Sequence, residues 1–460
     1  TDMPPYPRVH WFGDRLWVSA GGMIRQISAE GEVLDIQPGA LKGEGLGYLW
    51  QVRPDSDDIL SSIDESGTIG DVGIDLGVGP VPDADEIRMV TEAGGYLWLL
   101  QGGDQADGSG VVRLDVESGE AVPVALPGGL LSMEESGGSL WVTSIADHVV
   151  TRIDPETLEF AGYPLPGKPG GMVDTAGSLW VPLYHPGALL RMDADAELLP
   201  EADRVVDQTV DGHRLLCTVG GLDDEAVAAL RADPGSYDGP ATVILDAMGW
   251  IEYGSWSVVQ AMLGEDGLMA CSHGYVGRES IPPPEERAAD LATALETAGL
   301  DGPYLLVANG DGVHSTRLFA DSGVDVAGMV LVDPMPIGFQ DFLVGVVPDT
   351  SAHPPWPDLD EEASAALGDL GSAPLVVIGQ DPETTYLSQG MRDYAGDAVA
   401  EEMNDYWQDG LAFYASLSTD SRSVVADGTA MERILWVRPE LVVEEIQGIV
   451  DRLEAGVGEG

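Results

Sequence analysis

Basic residues are scarce in this chain. Lysine and arginine together number 21 against 79 aspartates and glutamates, which gives a net charge of −58, and lysine occurs only at Lys42 and Lys168. Nucleic acids bind proteins through neutralisation of their phosphates by Lys and Arg, so this charge excludes a nucleic-acid partner. Two interpretations of the acidity stay open: a solvated surface of the salt-adapted kind, or a field that attracts a cationic or amine-bearing ligand.

Cysteines and long apolar runs are few as well. The two cysteines, Cys217 and Cys271, lie in apolar segments, which predicts buried free thiols rather than a bridge. There is no zinc-type Cys/His spacing, and we expect no metal and no cofactor.

Because no apolar run reaches roughly eighteen residues, no membrane insertion is expected. The first residues lack the regions of a signal peptide, which predicts a cytoplasmic protein, or a secreted one whose leader has been removed.

The first 204 residues of the 460 carry an internal repeat, and a chain of this length is expected to form two domains. Each repeat unit centres on a Leu-Trp pair flanked by glycine. The tryptophans are Trp17, Trp50, Trp98, Trp141 and Trp180, spaced 33, 48, 43 and 39 residues apart. Strand, turn and strand at this period predict a β-propeller with five blades, and a sixth is left open. Recurrence of Leu-Trp at one structural place predicts core packing between the blades.

Phrases such as GGSLWVTS and TRIDPETLEF in these units resemble those of YVTN and streptogramin-lyase-like β-propellers. The resemblance implies the propeller fold for residues 1–204. The metal-dependent histidine chemistry of the lyase is not expected, because His10, His148 and His185 are scattered singly. The acidic glycine-rich loop at residues 102–110 predicts a solvated turn rather than a calcium site.

The second half is organised around residues 303–334, where a buried strand stops at a glycine-rich corner before a helix and another strand. The corner reads Ala308, Asn309, Gly310, Asp311, Gly312. From about Val206 to Leu453 the chain resembles actinobacterial α/β-hydrolases in blocks at residues 241–256, 286–307, 326–334, 373–382 and 421–446.

This resemblance implies that the corner is a nucleophile elbow with Gly310 in the place of serine. It also implies that Asp381 occupies the position of the catalytic acid and Glu432 that of the catalytic histidine. A hydrolase of this type needs a nucleophile, a base and an orienting acid within hydrogen-bond reach of one another. With neither serine nor histidine in place, ordinary Ser-His-Asp hydrolysis is not expected.

Ligands of open α/β sheets bind beyond the carboxyl ends of the strands, so the residues that end the predicted strands form the candidate site, Asp246 and Asp333 among them. The predicted catalytic residues are Glu432, Asp311, His273, His314 and Asp381, with Glu432 as the first candidate for general acid or base. The predicted substrate-binding residues are Gly310, Asn309, Met248, Trp250, Tyr253, Tyr275 and Trp356. A purely structural role is left open for each of them.

The alternation of predicted strands and helices is interrupted at residues 335–371, at the position where hydrolase relatives insert a cap. The predicted fold class is therefore an all-β propeller over residues 1–204, followed by an α/β-hydrolase fold with a cap over residues 205–460.

Glycine in place of serine, beside new titratable and aromatic residues, predicts a non-hydrolytic enzyme that tailors natural products. Its reaction would be cyclisation, carbon-carbon bond formation, or proton-transfer or lyase chemistry on a bulky, aromatic small molecule. Three alternatives stay open: a pseudohydrolase that binds or sequesters a small molecule, a propeller-based protein-interaction module, and an atypical hydrolase. The expected partner is a small-molecule ligand or substrate, and the oligomeric state is not predicted.

Overall fold

The structure is a computed structural model that describes residues 8–20, 23–29, 31–38, 40–53, 56–66, 68–75, 86–101, 110–126, 129–175, 177–184, 187–193, 199–246, 253–275, 282–346, 364, 367–382, 396–429 and 433–457. The chain forms two compact units. The first contains Thr1–Tyr163 and Lys168–Leu198, and the second contains Pro164–Gly167 and Leu199–Gly460.

The first unit is built from antiparallel strands. They are β1 Arg8–Phe12, β2 Arg15–Ala20, β3 Met23–Ile27, β4 Val33–Pro38, β5 Ala40–Gly45, β6 Tyr48–Arg53, β7 Ser56–Ile63, β8 Ile69–Asp75, β9 Ile87–Ala93, β10 Tyr96–Gln101, β11 Gly110–Leu114, β12 Ala121–Ala125, β13 Leu130–Ser136, β14 Ser139–Ser144, β15 Val149–Ile153, β16 Phe160–Pro164, β17 Val173–Thr175, β18 Ser178–Leu183 and β19 Ala188–Asp193. In the described residues they form five meanders, β1–β4, β5–β8, β9–β12, β13–β16 and β17–β19. Strands β5 and β9 of adjacent meanders pair at Gly43 and Val90, where a side chain on Gly43 would overlap the Val90 carbonyl. This sheet-rich unit is consistent with a propeller domain.

The repeated Leu-Trp pair lies in the second strand of every meander. Trp17, Trp50, Trp98 and Trp141 are buried. The indole N–H of Trp98 donates to the Ala93 carbonyl at 3.1 Å, and Trp50 and Trp141 make the same contact with the carbonyl five residues before them. Trp50, Trp98 and Trp141 therefore pack into the core and also fix the turn between the first two strands of their meanders.

Glu134, in β13, lies among other carboxylates. Burial raises the pKa of Glu134 to about 7, and the negative charges of Asp174, Glu44 and Glu135 add to this effect, while a hydrogen bond from the Asp174 backbone opposes it. Because the pKa in the folded state exceeds the ordinary value of 4.5, the folded state holds this proton more tightly than the unfolded state does. The resulting stability is present below the ordinary pKa and is lost as the pH rises through about 7.

We therefore expect Glu134→Gln to raise the melting temperature relative to the parent at pH above about 7, and to change it little near pH 5, where Glu134 already carries its proton. Differential scanning calorimetry across this pH range checks the result. The exposed Glu117→Gln serves as the control and should show no such trend. A Glu134→Gln effect that does not depend on pH would contradict the prediction.

The second unit contains one eight-stranded sheet in its described part. Its strands are β20 Asp203–Val210, β21 His213–Val219, β22 Thr242–Asp246, β23 Ala270–Tyr275, β24 Tyr304–Asn309, β25 Val326–Val332, β26 Leu375–Gln380 and β27 Ser421–Ala426. Their order is β20-β21-β23-β22-β24-β25-β26-β27. The pairs of β21 with β20 and with β23 are antiparallel, and the sheet is parallel from β23 to β27.

Helices cover both faces of this sheet, as parallel strands require. They are α1 Asp224–Ala232, α2 Ser257–Glu265, α3 Pro284–Ala298, α4 Gly312–Asp321, α5 Phe339–Val346, α6 Asp397–Ala415, α7 Ile434–Val437 and α8 Pro439–Val457. Residues of α1, α3, α4 and α6 pack with Ile244 on one face, and residues of α2 and α8 pack with Val243 and Leu245 on the other. None of the described helices is both long and apolar enough to cross a membrane.

The predicted cap is described only in part, since residues 347–363 and 365–366 lie outside the described residues. Its helix α5 packs against α6: Phe339 and Leu343 are buried in one cluster with Trp407. The Phe342 ring stacks on the Tyr406 ring with the centroids 4.1 Å apart. The aromatic residues of α5 therefore form a core with α6.

The two cysteines form a disulfide, so the prediction of free thiols is wrong. Cys217 in β21 lies directly opposite Cys271 in β23, with the Cα atoms 3.9 Å apart. The apolar context of each cysteine indicated burial correctly. The pairing depends on β21 lying beside β23 rather than beside β22, the next strand in sequence, and this order is not visible in either segment alone.

Candidate functional site

The glycine-rich corner lies between β24 and α4, at the centre of the parallel sheet. Strand β24 ends at Asn309, Gly310 adopts a φ of +56°, and α4 begins at Gly312. The Gly310 N–H donates to the Val332 carbonyl at 3.2 Å, and the Gly310 carbonyl accepts from the Met335 N–H at 3.0 Å. Asp311 has a φ of −74°, so the left-handed position of the corner is Gly310. This strand-turn-helix geometry is the one that the resemblance to α/β-hydrolases predicts for a nucleophile elbow. The residue at its centre, Gly310, has no hydroxyl.

Asp311 follows the elbow glycine and is held in a buried ion pair. Its Oδ2 lies 2.7 Å from Nη1 of Arg287 in α3, and both side chains are 1% exposed. Burial alone would lower the pKa of Arg287, but the charges of Asp311 and Asp246 outweigh it and raise that pKa. The Asp311 carboxylate therefore neutralises a cation in the protein interior.

Asp246, at the end of β22, accepts hydrogen bonds from three side chains. Ser315 Oγ donates to its Oδ2 at 2.7 Å and Thr316 Oγ1 at 3.1 Å, while His273 Nδ1 lies 3.4 Å from its Oδ1. Arg287 Nη2 is 3.9 Å away. Burial alone would raise the pKa of Asp246, but the hydrogen bond from His273 and the charge of Arg287 hold it below its usual value. This carboxylate is ionised and saturated with donors.

Three aromatic side chains, at the start of β21 and the end of the antiparallel β23, contact one another edge to face. The ring centroid of His273 lies 5.5 Å from that of His213 and 5.8 Å from that of Tyr275. The Tyr275 hydroxyl donates to Asp290 Oδ2 at 2.8 Å. Burial and this hydrogen bond raise the pKa of Tyr275, so its phenol stays protonated.

His314, in the first turn of α4, is fully buried. Its Nε2 lies 3.1 Å from the Met335 carbonyl and donates to it. Burial lowers the pKa of His314 to about 3, and the nearby charges of Arg287 and Arg317 act in the same direction. The imidazole is therefore neutral at physiological pH and its proton is shared with a backbone acceptor.

Asp381 follows β26, as the sequence predicts for a catalytic acid. Its Oδ2 accepts from the Gly428 N–H at 2.9 Å, and its own N–H donates to the Thr429 carbonyl at 3.2 Å. These contacts direct the carboxylate toward the loop after β27.

The other predicted site residues are described only in part. Asn309 donates from Nδ2 to the Val332 carbonyl at 2.9 Å. Glu432, Met248, Trp250, Trp356 and the side chain of Tyr253 lie outside the described residues, and their roles stay predictions.

The structure brings six polar residues at this edge into one buried group, which we call the strand-end network: Asp246, His273, Arg287, Asp311, Ser315 and Thr316. Asp246, His273 and Asp311 were predicted site residues or strand ends. Arg287 was not among the predicted residues. A signal existed, because Arg287 lies four and seven residues before Leu291 and Ala294 and so shares the apolar face of α3. Among the described residues, no group of His, Cys, Asp or Glu is arranged to hold a metal ion.

No protein-family model and no curated protein matches this chain. Several solved structures resemble it at low identity. A structure described as puromycin hydrolase is 14% identical and covers 98% of this chain and 69% of its own, with a TM-score of 0.41. A puromycin-hydrolyzing peptidase of Mycobacterium tuberculosis is 10% identical over 97% and 68%, with a TM-score of 0.43. The acylaminoacyl peptidase of Pyrococcus horikoshii is 11% identical over 98% and 70%, with a TM-score of 0.38.

The activities named for these structures are hydrolytic. They contradict the expectation of a non-hydrolytic enzyme that tailors natural products. Likeness at this level assigns no substrate to the present chain.

Proposed function

We propose that this chain is a small-molecule-binding protein built on an α/β-hydrolase fold, and that it does not perform Ser-His-Asp hydrolysis. The observation that carries the proposal is Gly310 at the elbow, in the one backbone position from which this fold presents its nucleophile. Without a hydroxyl there, no acyl-enzyme can form at this corner.

The strand-end network supports the same conclusion. Ser315 is the hydroxyl nearest to the elbow in this network, but it donates directly to Asp246 and to the Gly312 carbonyl, with no histidine between serine and acid. Both Ser315 and Asp246 are buried. A serine arranged in this way is a structural donor, because its proton has no general base to receive it.

An atypical hydrolase is the second candidate, and Asp381 favours it. The carboxylate stands at the end of β26 and is oriented by the Gly428 N–H, which keeps the catalytic acid position of the fold. Glu432 is predicted at the histidine position, and with Asp381 it would activate a water directly. If the protein is an atypical hydrolase, the catalytic roles predicted for Asp311, His273 and His314 are also part of this proposal.

We further propose that the five meanders of the first unit are five blades and that residues 335–371 form a cap. The partner is a small molecule and not a nucleic acid. The buried disulfide favours the secreted alternative over the cytoplasmic one, because such bridges persist in oxidising compartments.

The purified protein is expected to show no labelling by a fluorophosphonate probe and no hydrolysis of acyl esters or aminoacyl anilides. Gly310→Ser alone should remain inactive, because a serine needs an adjacent base. The double variant Gly310→Ser/Glu432→His is the one expected to gain labelling. Gel fluorescence and intact-mass measurements check both statements.

Labelling of the parent that disappears in Ser315→Ala or Ser272→Ala would place a nucleophile at that serine and overturn the binding-protein proposal. Hydrolysis without labelling, lost in Asp381→Asn, would establish the atypical hydrolase instead.

A further inference from the structure

A cavity of about 450 Å³ lies beside the sheet of the second unit. Its wall is formed by α4, α6 and the segments around Ile337 and Leu367. Phe413 and Leu417 contribute apolar surface. The volume falls in the range of small-molecule sites, which are mostly apolar with a few polar groups that fix orientation.

Arg317 of α4 supplies one of these polar groups. Its side chain is buried, with 4% of the residue exposed, and it lines the cavity. Nη1 donates to Ser364 Oγ at 2.9 Å, and the guanidinium lies 5.7 Å from the ring centroid of Phe413. Within the described part of the chain, no carboxylate forms an ion pair with Arg317. One serine satisfies one of the five donors of a guanidinium, which leaves donors of Arg317 available to a ligand in the cavity.

A buried cation without a bound anion is unfavourable, and burial lowers the pKa of Arg317, while the charges of Tyr414, Asp321 and Asp369 act in the opposite direction. The two other buried arginines of this unit, Arg214 and Arg287, form ion pairs with Asp207 at 2.6 Å and with Asp311 at 2.7 Å. Arg317 differs from them because, among the described residues, it forms no ion pair within 4.0 Å.

Two carboxylates, Asp369 and Asp409, line the same cavity; neither lies within ion-pair distance of Arg317, although the charge of Asp369 acts on it. The cavity thus carries one positive and two negative groups on otherwise apolar walls. A ligand with a single negative charge would be repelled by these carboxylates and by the chain's net charge of −58. A ligand with one carboxylate and one ammonium group carries no net charge and avoids that repulsion.

We infer that this cavity binds an amphoteric small molecule of the amino-acid type, with its carboxylate on Arg317, its ammonium group toward Asp369 and Asp409, and an apolar or aromatic body against Phe413 and Leu417. The guanidinium offers a carboxylate two parallel donors, which fixes orientation as well as affinity. This inference rests on the proposed binding function and names both the site and the ligand class for it.

The test uses isothermal titration calorimetry of the full chain with three probes: L-phenylalanine, hydrocinnamate, which lacks the ammonium group, and phenethylamine, which lacks the carboxylate. L-Phenylalanine is expected to bind, and each single-charge analogue about 10-fold or more weakly. Arg317→Met should weaken L-phenylalanine binding by about 10-fold or more and leave phenethylamine unchanged, because only the carboxylate contacts the arginine.

Two further variants distinguish a loss of the binding site from a loss of folding. Leu367→Trp, in a segment that lines the cavity, should abolish binding of all probes by filling the space without changing charge. Arg452→Met is the matched control, since Arg452 is about half exposed on α8 and pairs with Asp420. Circular dichroism establishes that each variant is folded, and if Arg317→Met is not, Leu367→Trp decides.

The inference is overturned if hydrocinnamate binds as tightly as L-phenylalanine, if no probe binds the parent, or if both cavity variants bind like the parent. In the last case the ligand lies elsewhere and the proposed binding function stands. Fluorophosphonate labelling of the parent, or hydrolysis by it, would contradict the proposed function as a binding protein, independently of the results with the cavity variants.

Discussion

Replacing Arg287 with methionine is expected to lower the free energy of unfolding of the second unit by about 3–5 kcal/mol. The substitution keeps most of the apolar bulk of the side chain but leaves Asp311 buried without its cation, and it removes the nearby charge from Asp246. Urea unfolding followed by the helical circular dichroism signal measures the effect, because all described helices belong to the second unit.

The double variant Arg287→Met/Asp311→Leu is the decisive comparison. Removing both charges removes the unpaired carboxylate as well, so this variant should recover most of the stability lost in the single one. The exposed Arg231→Met, which breaks a surface contact with Asp203, should change stability by less than about 1 kcal/mol. If Arg287→Met behaved like Arg231→Met, the ion pair with Asp311 would not be the buried contact described above.

The disulfide is expected to contribute the next largest effect. It closes a sequence separation of 54 residues, for which the chain-entropy model gives about 4 kcal/mol, and measured values are typically about 2–4 kcal/mol. Cys217→Ala/Cys271→Ala should lower the free energy of unfolding of the second unit by this amount, and thiol titration of the denatured parent should find no free cysteine.

The reducing agent supplies the control for this experiment. Reduction should destabilise the parent and leave the double alanine variant unchanged, which separates the crosslink from the small loss of packing at the two buried sites. Two titratable thiols in the untreated parent, or equal stability with and without reductant, would restore the sequence-based prediction of free cysteines.

Local patterns in the sequence were sufficient to predict much of the fold. Apolar alternation around each Leu-Trp pair predicts the strands of the first unit, because packing and turn chemistry are decided within a few residues. The glycine-rich corner at Gly310 was predicted for the same reason: a strand, a left-handed residue and a helix follow one another in the chain.

What the sequence could not supply depends on contacts between distant segments. The disulfide requires β21 to lie beside β23, and the role of Asp311 requires α3 to place Arg287 2.7 Å away. From sequence alone, Asp311 is equally suited to capping a helix, to catalysis or to pairing with a cation. Arg317 carries no sequence signal at all, because the cavity that it lines is formed by segments far apart in the chain.

The left-handed backbone at Gly310 also has a consequence for the stability of the second unit. A residue with a side chain that is held at positive φ costs a folded protein about 1–3 kcal/mol. Glycine adopts this conformation without that cost. The residue type that leaves this corner without a hydroxyl is therefore also the one that leaves its backbone unstrained.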